Sequence, residues 1–158
     1  RAIEWECQKV LRQYYQHVDQ REFEKAVALF TPDVDWVGLG VPLRGREEIL
    51  EALHAALGNS TARHVLTNTV VNVIDEDHAE ARSYNTLSTS HETTFEVGDR
   101  AIAYEGPNIL ADMSEHLVRT EEGWRIAQRR AVGIFRHDPK PIPLETWAKD
   151  AGKGTFGK

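Results

Sequence analysis

Seven histidines invite a search for a metal site. His91-Glu92-Thr93-Thr94-Phe95 opens like the zinc motif H-E-x-x-H, but Phe95 stands where the second ligand is needed. No two histidines fall four apart on a predicted helix, so no protein-bound metal is expected. Gly38-Leu39-Gly40 has no third glycine in register and runs into Pro42, which makes it a turn and not a dinucleotide loop. There is no Gly-x-Ser-x-Gly elbow. Cys7 falls in the middle of an apolar helical stripe, the setting of a buried, unreactive thiol.

What remains is a set of isolated polar residues on otherwise apolar elements. Asp19 follows the first helical stripe, and Asp19-Gln20-Arg21-Glu22 has the form of a capping box opening the next helix. His64 opens a strand, where alternation places it on one face with Leu66, Asn68, Val70 and Asn72. Arg129 and Arg130 both sit in the last strand. One of them shares a face with Trp124, Ile126 and Gln128 unless a bulge intervenes, and a structural role would pair it with a carboxylate such as Glu115. Tyr84 and His116 lie mid-strand, where they either line a cavity or show a polar tip to solvent.

The elements that must position these residues divide into helices first and strands after. Ile3, Cys7, Val10, Leu11, Tyr14 and Val18 make one helical stripe, and Phe23, Ala26, Val27 and Phe30 a shorter one, stopped by Thr31-Pro32-Asp33. A strand is predicted over 34–39 and a third helix over 46–57, ended by Gly58-Asn59. Strands follow over 63–74, 79–90, weakly around Gly106-Pro107, over 109–120 and over 124–135. Their turns are Asp75-Glu76-Asp77, Gly98-Asp99 and Glu121-Glu122-Gly123. This order implies α+β with an antiparallel sheet and no βαβ crossover. Residues 1–138 form the domain. Residues 139–158 are a Pro-rich extension with a loose end, a lid over a cavity mouth or a clasp on a neighbouring subunit.

The chain has 158 residues, 41% of them hydrophobic and 28% charged, enough for one domain with its own core. With 19 Lys and Arg against 25 Asp and Glu the net charge is −6, which argues against nucleic acid or an anionic membrane as the main partner. One cysteine excludes an internal disulfide and a cysteine zinc site. No apolar run reaches the roughly 18 residues of a membrane helix, and residues 1–6 are too charged for a secretory leader. A cytoplasmic setting is expected.

Several stretches together resemble the SnoaL-like branch of the nuclear transport factor 2-like superfamily, whose members include scytalone dehydratase, hexachlorocyclohexane dehydrochlorinase and bile-acid dehydratase. They are Tyr14-Tyr15-Gln16-His17-Val18-Asp19, Leu29 through Trp36, Leu43-Arg44-Gly45-Arg46-Glu47-Glu48-Ile49, Arg63-His64 through Asn68, and Gly123-Trp124-Arg125-Ile126 through Arg129. The resemblance implies a cone-shaped α+β barrel, three N-terminal helices packed in a strongly bent antiparallel sheet around a deep cavity. It implies an Asp-His dyad there, with Asp19 and His64 in the family's positions, and Tyr14 and Arg129 as further catalytic groups. Tyr84, His116, Trp36 and Asn68 are the expected substrate-binding residues.

The function so implied is a cofactor-independent lyase, dehydratase-like, acting on a small, largely apolar cyclic or aromatic compound. An isomerase or polyketide-type cyclase would share the proton abstraction, and a non-catalytic ligand-binding or assembly module would share only the fold. A homo-oligomer is expected, a trimer ahead of a dimer, held by an apolar sheet face carrying Val65, Val71, Val73 and Leu117.

Overall fold

The structure is a computed structural model and describes residues 1–38, 40–90 and 108–137. The H-E-x-x-H-like start at His91, the strand expected around Gly106 and the Pro139–Trp147 segment lie outside the described residues.

Helix α1 spans Ala2–Asp19 and buries Cys7, Val10, Leu11, Tyr14, Tyr15 and Val18 as one stripe. It runs through Asp19, so the expected capping box does not form. Glu22 is the N-cap of the short helix α2, Phe23–Val27, and makes no side-chain cap bond. Its carboxylate accepts instead from Lys25 and meets the His17 ring at 2.7 Å. Phe30, read as the end of the second stripe, begins strand β1, Phe30–Gly38. Pro32 lies where β1 loses register between Phe30 and Asp35, the place a strand tolerates a residue without an N–H. Gly40, at φ 91°, turns the chain into a strand the sequence did not announce, β2, Val41–Arg44. Pro42 fits there because β2 is a sheet edge. Helix α3 covers Gly45–Leu57, and Glu48 Oε2 accepts the Arg44 N–H at 2.7 Å at its start.

Four long strands follow: β3 Thr61–Val73, β4 His78–Ser90, β5 Ile109–Thr120 and β6 Gly123–Arg136. The six strands form one sheet in the order β2-β1-β6-β5-β4-β3. All neighbours are antiparallel except β1 and β6, so the sheet is mixed where an all-antiparallel one was expected. The last strand, arriving antiparallel to β5, closes against the first strand of the chain and runs alongside it. The architecture is α+β, with α1 packed on β3 and β6 and α3 on β1. Among the described residues no helix is long and apolar enough to cross a membrane.

One-residue insertions decide which side chains face the helices. In β3 three steps from Thr67 to Val70 oppose two from Tyr84 to Arg82, and the extra residue is Asn68, at φ 53°. Before this bulge Ala62, His64 and Leu66 turn inward; after it Thr69, Val71 and Val73 do. In β6 a second bulge, between the pairs Gln128–His116 and Ile126–Leu117, makes the same switch. Trp124 and Ile126 are buried before it, Arg129 and Ala131 after it.

The outer sheet face differs from the expected one. Leu117 is fully buried and Val71 packs against the core, whereas Val65, Val70, Val132, Ile134 and Phe135 are exposed.

The left-handed backbone at Asn68 gives a direct test. Asn68→Gly should leave urea stability unchanged or slightly raised, and Asn68→Val should cost about 1–2 kcal/mol, since a β-branched residue is strained at positive φ.

Candidate functional site

A cavity of about 80 Å³ opens between α1, α3 and the inner face of the sheet. It has room for several waters at the roughly 10–15 Å³ that each needs. Tyr14, Tyr15 and Val18 come from α1, Leu53, Ala56 and Leu57 from α3, and the sheet adds Trp36, His64, Asn85, Met113 and Arg129 among others. The lining is mostly apolar with few polar groups, the usual composition of a small-molecule site.

The end of α1 and the start of β3 meet at this cavity. Asp19 Oδ1 lies 2.6 Å from His64 Nδ1, and Asp19 Oδ2 accepts the His64 backbone N–H at 2.9 Å. Arg63 Nη1 donates to the Asp19 carbonyl at 3.2 Å. The two side chains are only 12% and 9% exposed. The Tyr15 ring packs against the imidazole, centroids 4.9 Å apart. With Nδ1 engaged by the carboxylate, Nε2 is the ring nitrogen left for a ligand.

Arg129 is 1% exposed and lines the same cavity. Its guanidinium carbon stands 4.1 Å from the Tyr14 ring centroid and 5.3 Å and 5.2 Å from those of Tyr15 and Phe30, an aromatic cage around a buried cation. Glu115 Oε1 lies 3.3 Å from Nε, but none of the three guanidinium nitrogens makes a well-directed hydrogen bond. Burial pushes the Glu115 carboxyl above the ordinary carboxylate range, against the opposing pull of Arg129. Burial likewise raises the Tyr14 and Tyr15 hydroxyls, again opposed by Arg129, so both remain O–H donors at neutral pH. The Cys7 thiol, fully buried in α1, is pushed up to about 11, by burial first and by the charge of Glu6 second.

Of the residues singled out from sequence, Tyr14, Asp19, His64, Arg129 and Trp36 are brought together at or directly behind the cavity wall. The register question falls to Arg129: Arg130 points away and pairs with Asp35 at 2.7 Å. The structural reading of Arg129 as the partner of Glu115 holds as well.

Three expected substrate contacts are corrected. Asn68 is the exposed bulge residue and faces solvent. Tyr84 is 46% exposed on the outer face, in a row with Asp112 and Val132. His116 also alternates outward, its ring 5.8 Å from that of His78.

Sequence reasoning missed Tyr15 and Asn85. The signal for Asn85 was present: Ala79, Ala81, Ser83, Asn85 and Leu87 are the small and apolar alternates of β4, all buried to 9% exposure or less. Among the described residues no group of three His, Cys, Asp or Glu could hold a metal ion.

Two measurements probe these buried charges. Glu115→Ala strands the Arg129 cation and should cost about 3–5 kcal/mol in denaturant unfolding, whereas Glu115→Leu combined with Arg129→Met should be near neutral or stabilising. In alkali, Cys7, Tyr14 and Tyr15 keep protons in the folded chain that the unfolded chain releases. Stability should therefore fall as pH rises from 9 to about 11, and Cys7→Ala should flatten the first part of that decline in the unfolding midpoint.

Residues 2–130 match the family model described as a SnoaL-like domain. No curated protein matches the chain. Among solved structures, Rv3472 of Mycobacterium tuberculosis, a protein of unknown function, aligns at 21% identity over 96% of each chain with a TM-score of 0.75. A candidate scytalone dehydratase from Novosphingobium aromaticivorans aligns at 16% identity over 85% of this chain and 86% of its own, TM-score 0.69. A Catenulispora acidiphila protein in complex with S-DNPA aligns at 22% identity over 81% and 90%, TM-score 0.65. The helices packed on one mixed sheet, the apolar cavity between them and the match over most of the sequence agree, and the chain belongs to the SnoaL-like domain family.

Proposed function

We propose that the protein is a cofactor-independent lyase of dehydratase type, acting on a small, largely apolar cyclic or aromatic compound. The observation that carries this reading is the 2.6 Å contact between Asp19 and His64 Nδ1 at the wall of an apolar cavity. The carboxylate holds the imidazole in the tautomer whose Nε2 bears the lone pair, and it stabilises the imidazolium that forms when Nε2 takes a proton. The proton comes from a carbon next to an activating group. The resulting electron pair forms the new C=C bond and expels the leaving group from the adjacent carbon, either as an anion such as halide or as water, a hydroxyl taking up the proton from the His64 imidazolium as its C–O bond breaks.

Tyr14 and Arg129 serve the charge that develops. Tyr14 keeps its proton and can donate it in a hydrogen bond to the leaving group or to a carbonyl oxygen. Arg129 supplies a fixed, buried cation, whose charge acts more strongly than it does in water once a substrate fills the cavity. Because Glu115 balances that cation, the cavity suits an uncharged substrate. Trp36 contributes apolar wall. The S-DNPA complex in the Catenulispora acidiphila protein and the candidate scytalone dehydratase, both of this fold, are in keeping with a cavity that takes small molecules.

The assembly belongs to the same proposal. Val65, Val132, Ile134 and Phe135 leave an apolar band on the outer face that suits a homo-oligomer, a trimer by the resemblance to dehydratases. A sedimentation mass of one 17.9 kDa chain overturns that part.

The chemistry is tested on a panel of cyclic ketones bearing a hydroxyl or halide β to the carbonyl, incubated in D2O. Wild type should eliminate water or halide, and His64→Ala and Asp19→Asn should each lose about 10²–10⁴-fold. Deuterium uptake with water or halide retained would count against elimination and favour the isomerase or cyclase readings, which share the proton abstraction. Equal rates for wild type and His64→Ala across the panel would remove the acid–base reading.

A further inference from the structure

One polar side chain in the cavity wall has neither a partner nor a part in the scheme above. Asn85 is 8% exposed on the inner face of β4, and its Oδ1 makes no hydrogen bond. Its cross-strand neighbours are Leu66 on β3 and Ala111 on β5, which offer only hydrocarbon there. Ser83, the next inward residue along β4, does not satisfy it, because its own Oγ is also without a partner. A buried acceptor left unmade in this way works against folding, and such groups ask for a reason.

The reason lies in what Asn85 faces. It lines the same cavity as His64, Tyr14 and Arg129. His64 is two residues from its cross-strand partner Leu66, so the two are diagonal neighbours, with Cα atoms roughly 7–8 Å apart. Arg129 is further off, on β6 beside Trp36. The polar groups thus divide between an Asn85–His64 side and an Arg129 side, with apolar wall between them.

We infer that Asn85 sets the choice of substrate: its amide receives a hydroxyl carried on the ring close to the carbon that His64 deprotonates. This rests on the reading of the cavity as the substrate site and narrows the class to hydroxylated or phenolic rings. An amide presents one acceptor and two donors, and a hydroxyl both donates and accepts, so the match holds whichever way the amide is turned. A methyl group or a halogen at that place leaves the amide unpaired. Sites built to bond a hydroxyl reject the analogue that lacks it far more strongly than apolar pockets reject a misfit.

The probes are phenol and toluene, which differ by hydroxyl against methyl at nearly equal shape. The variant is Asn85→Leu, close to isosteric. Calorimetric titration should show the affinity ratio of phenol to toluene falling about tenfold or more from wild type to Asn85→Leu. The variant's melting temperature should be equal to or above that of wild type, because an unpaired acceptor has been replaced by hydrocarbon. An unchanged ratio overturns the inference. So does a melting temperature lowered by several degrees, or a variant that fails to fold, since either means that the amide is bonded within the fold. His64→Ala, lacking the base, should keep the wild-type ratio, so loss of turnover there and loss of discrimination in Asn85→Leu report on separate claims. If wild type binds neither probe, the cavity reading beneath both falls as well.

Discussion

The contact that ties the molecule together is a pair of hydrogen bonds from one residue to one carboxylate: Asp19 accepts from the backbone N–H of His64 and meets its ring Nδ1. It fastens the end of the first helix to the opening of β3 and so closes the helical layer over the sheet. A carboxylate is locally the wrong residue there. The C-terminal end of a helix carries partial negative charge and favours Lys, Arg or His. The structure compensates with two donors from His64 and with Arg63 on the terminal carbonyl. A residue that breaks a local rule and is held by several tertiary bonds is what a site, more than a scaffold, produces.

The helical half was legible because its signals are local. The stripe from Cys7 to Val18 and the apolar face of α3 follow from spacing alone and end within a residue or two of expectation. Among the four long strands β3 was plain in its Val and Thr content, and the others were bounded by their turns, Asp75-Glu76-Asp77 and Glu121-Glu122-Gly123. Failures came where one residue changes the phase of everything after it. Strict alternation through β3 carries Asn68 inward with His64, but a left-handed residue at Asn68 itself reverses the phase. Reading through β6 left Arg129 and Arg130 undecided for the same reason, and the bulge after Ile126 selects Arg129. No composition marks either bulge. They are set by how a long twisted strand must bend to follow the helices it covers.

Asp19 was legible as a residue and misread as a contact. An Asp three places before a Glu fits a capping box, and nothing local distinguishes a box from a helix running one residue further. Its true partner lies 45 residues away, and only the family resemblance suggested it. Tyr84 and Asn85 show the opposite case. The aromatic residue drew attention, but the small and apolar alternates on either side already assign the inner face to Asn85.

The polar groups of the cavity share a condition. Arg129 and Glu115 are nearly or fully buried with an ion pair but poor hydrogen bonding, and Asn85 keeps an unmade acceptor. In a core each of these would be a defect, and hydrocarbon of the same shape would serve the fold as well or better. Arg129 and Asn85 line one hollow and Glu115 stands behind it, on an inner sheet face that also carries Ser83, Trp36 and His64 among its Ala, Leu, Ile and Met. Where they line the cavity, Arg129 and Asn85 have open space in front of them, and under the proposed function a small molecule bound there is the partner that satisfies them. The same burial that strains these groups in the free protein strengthens them once a ligand excludes the remaining water.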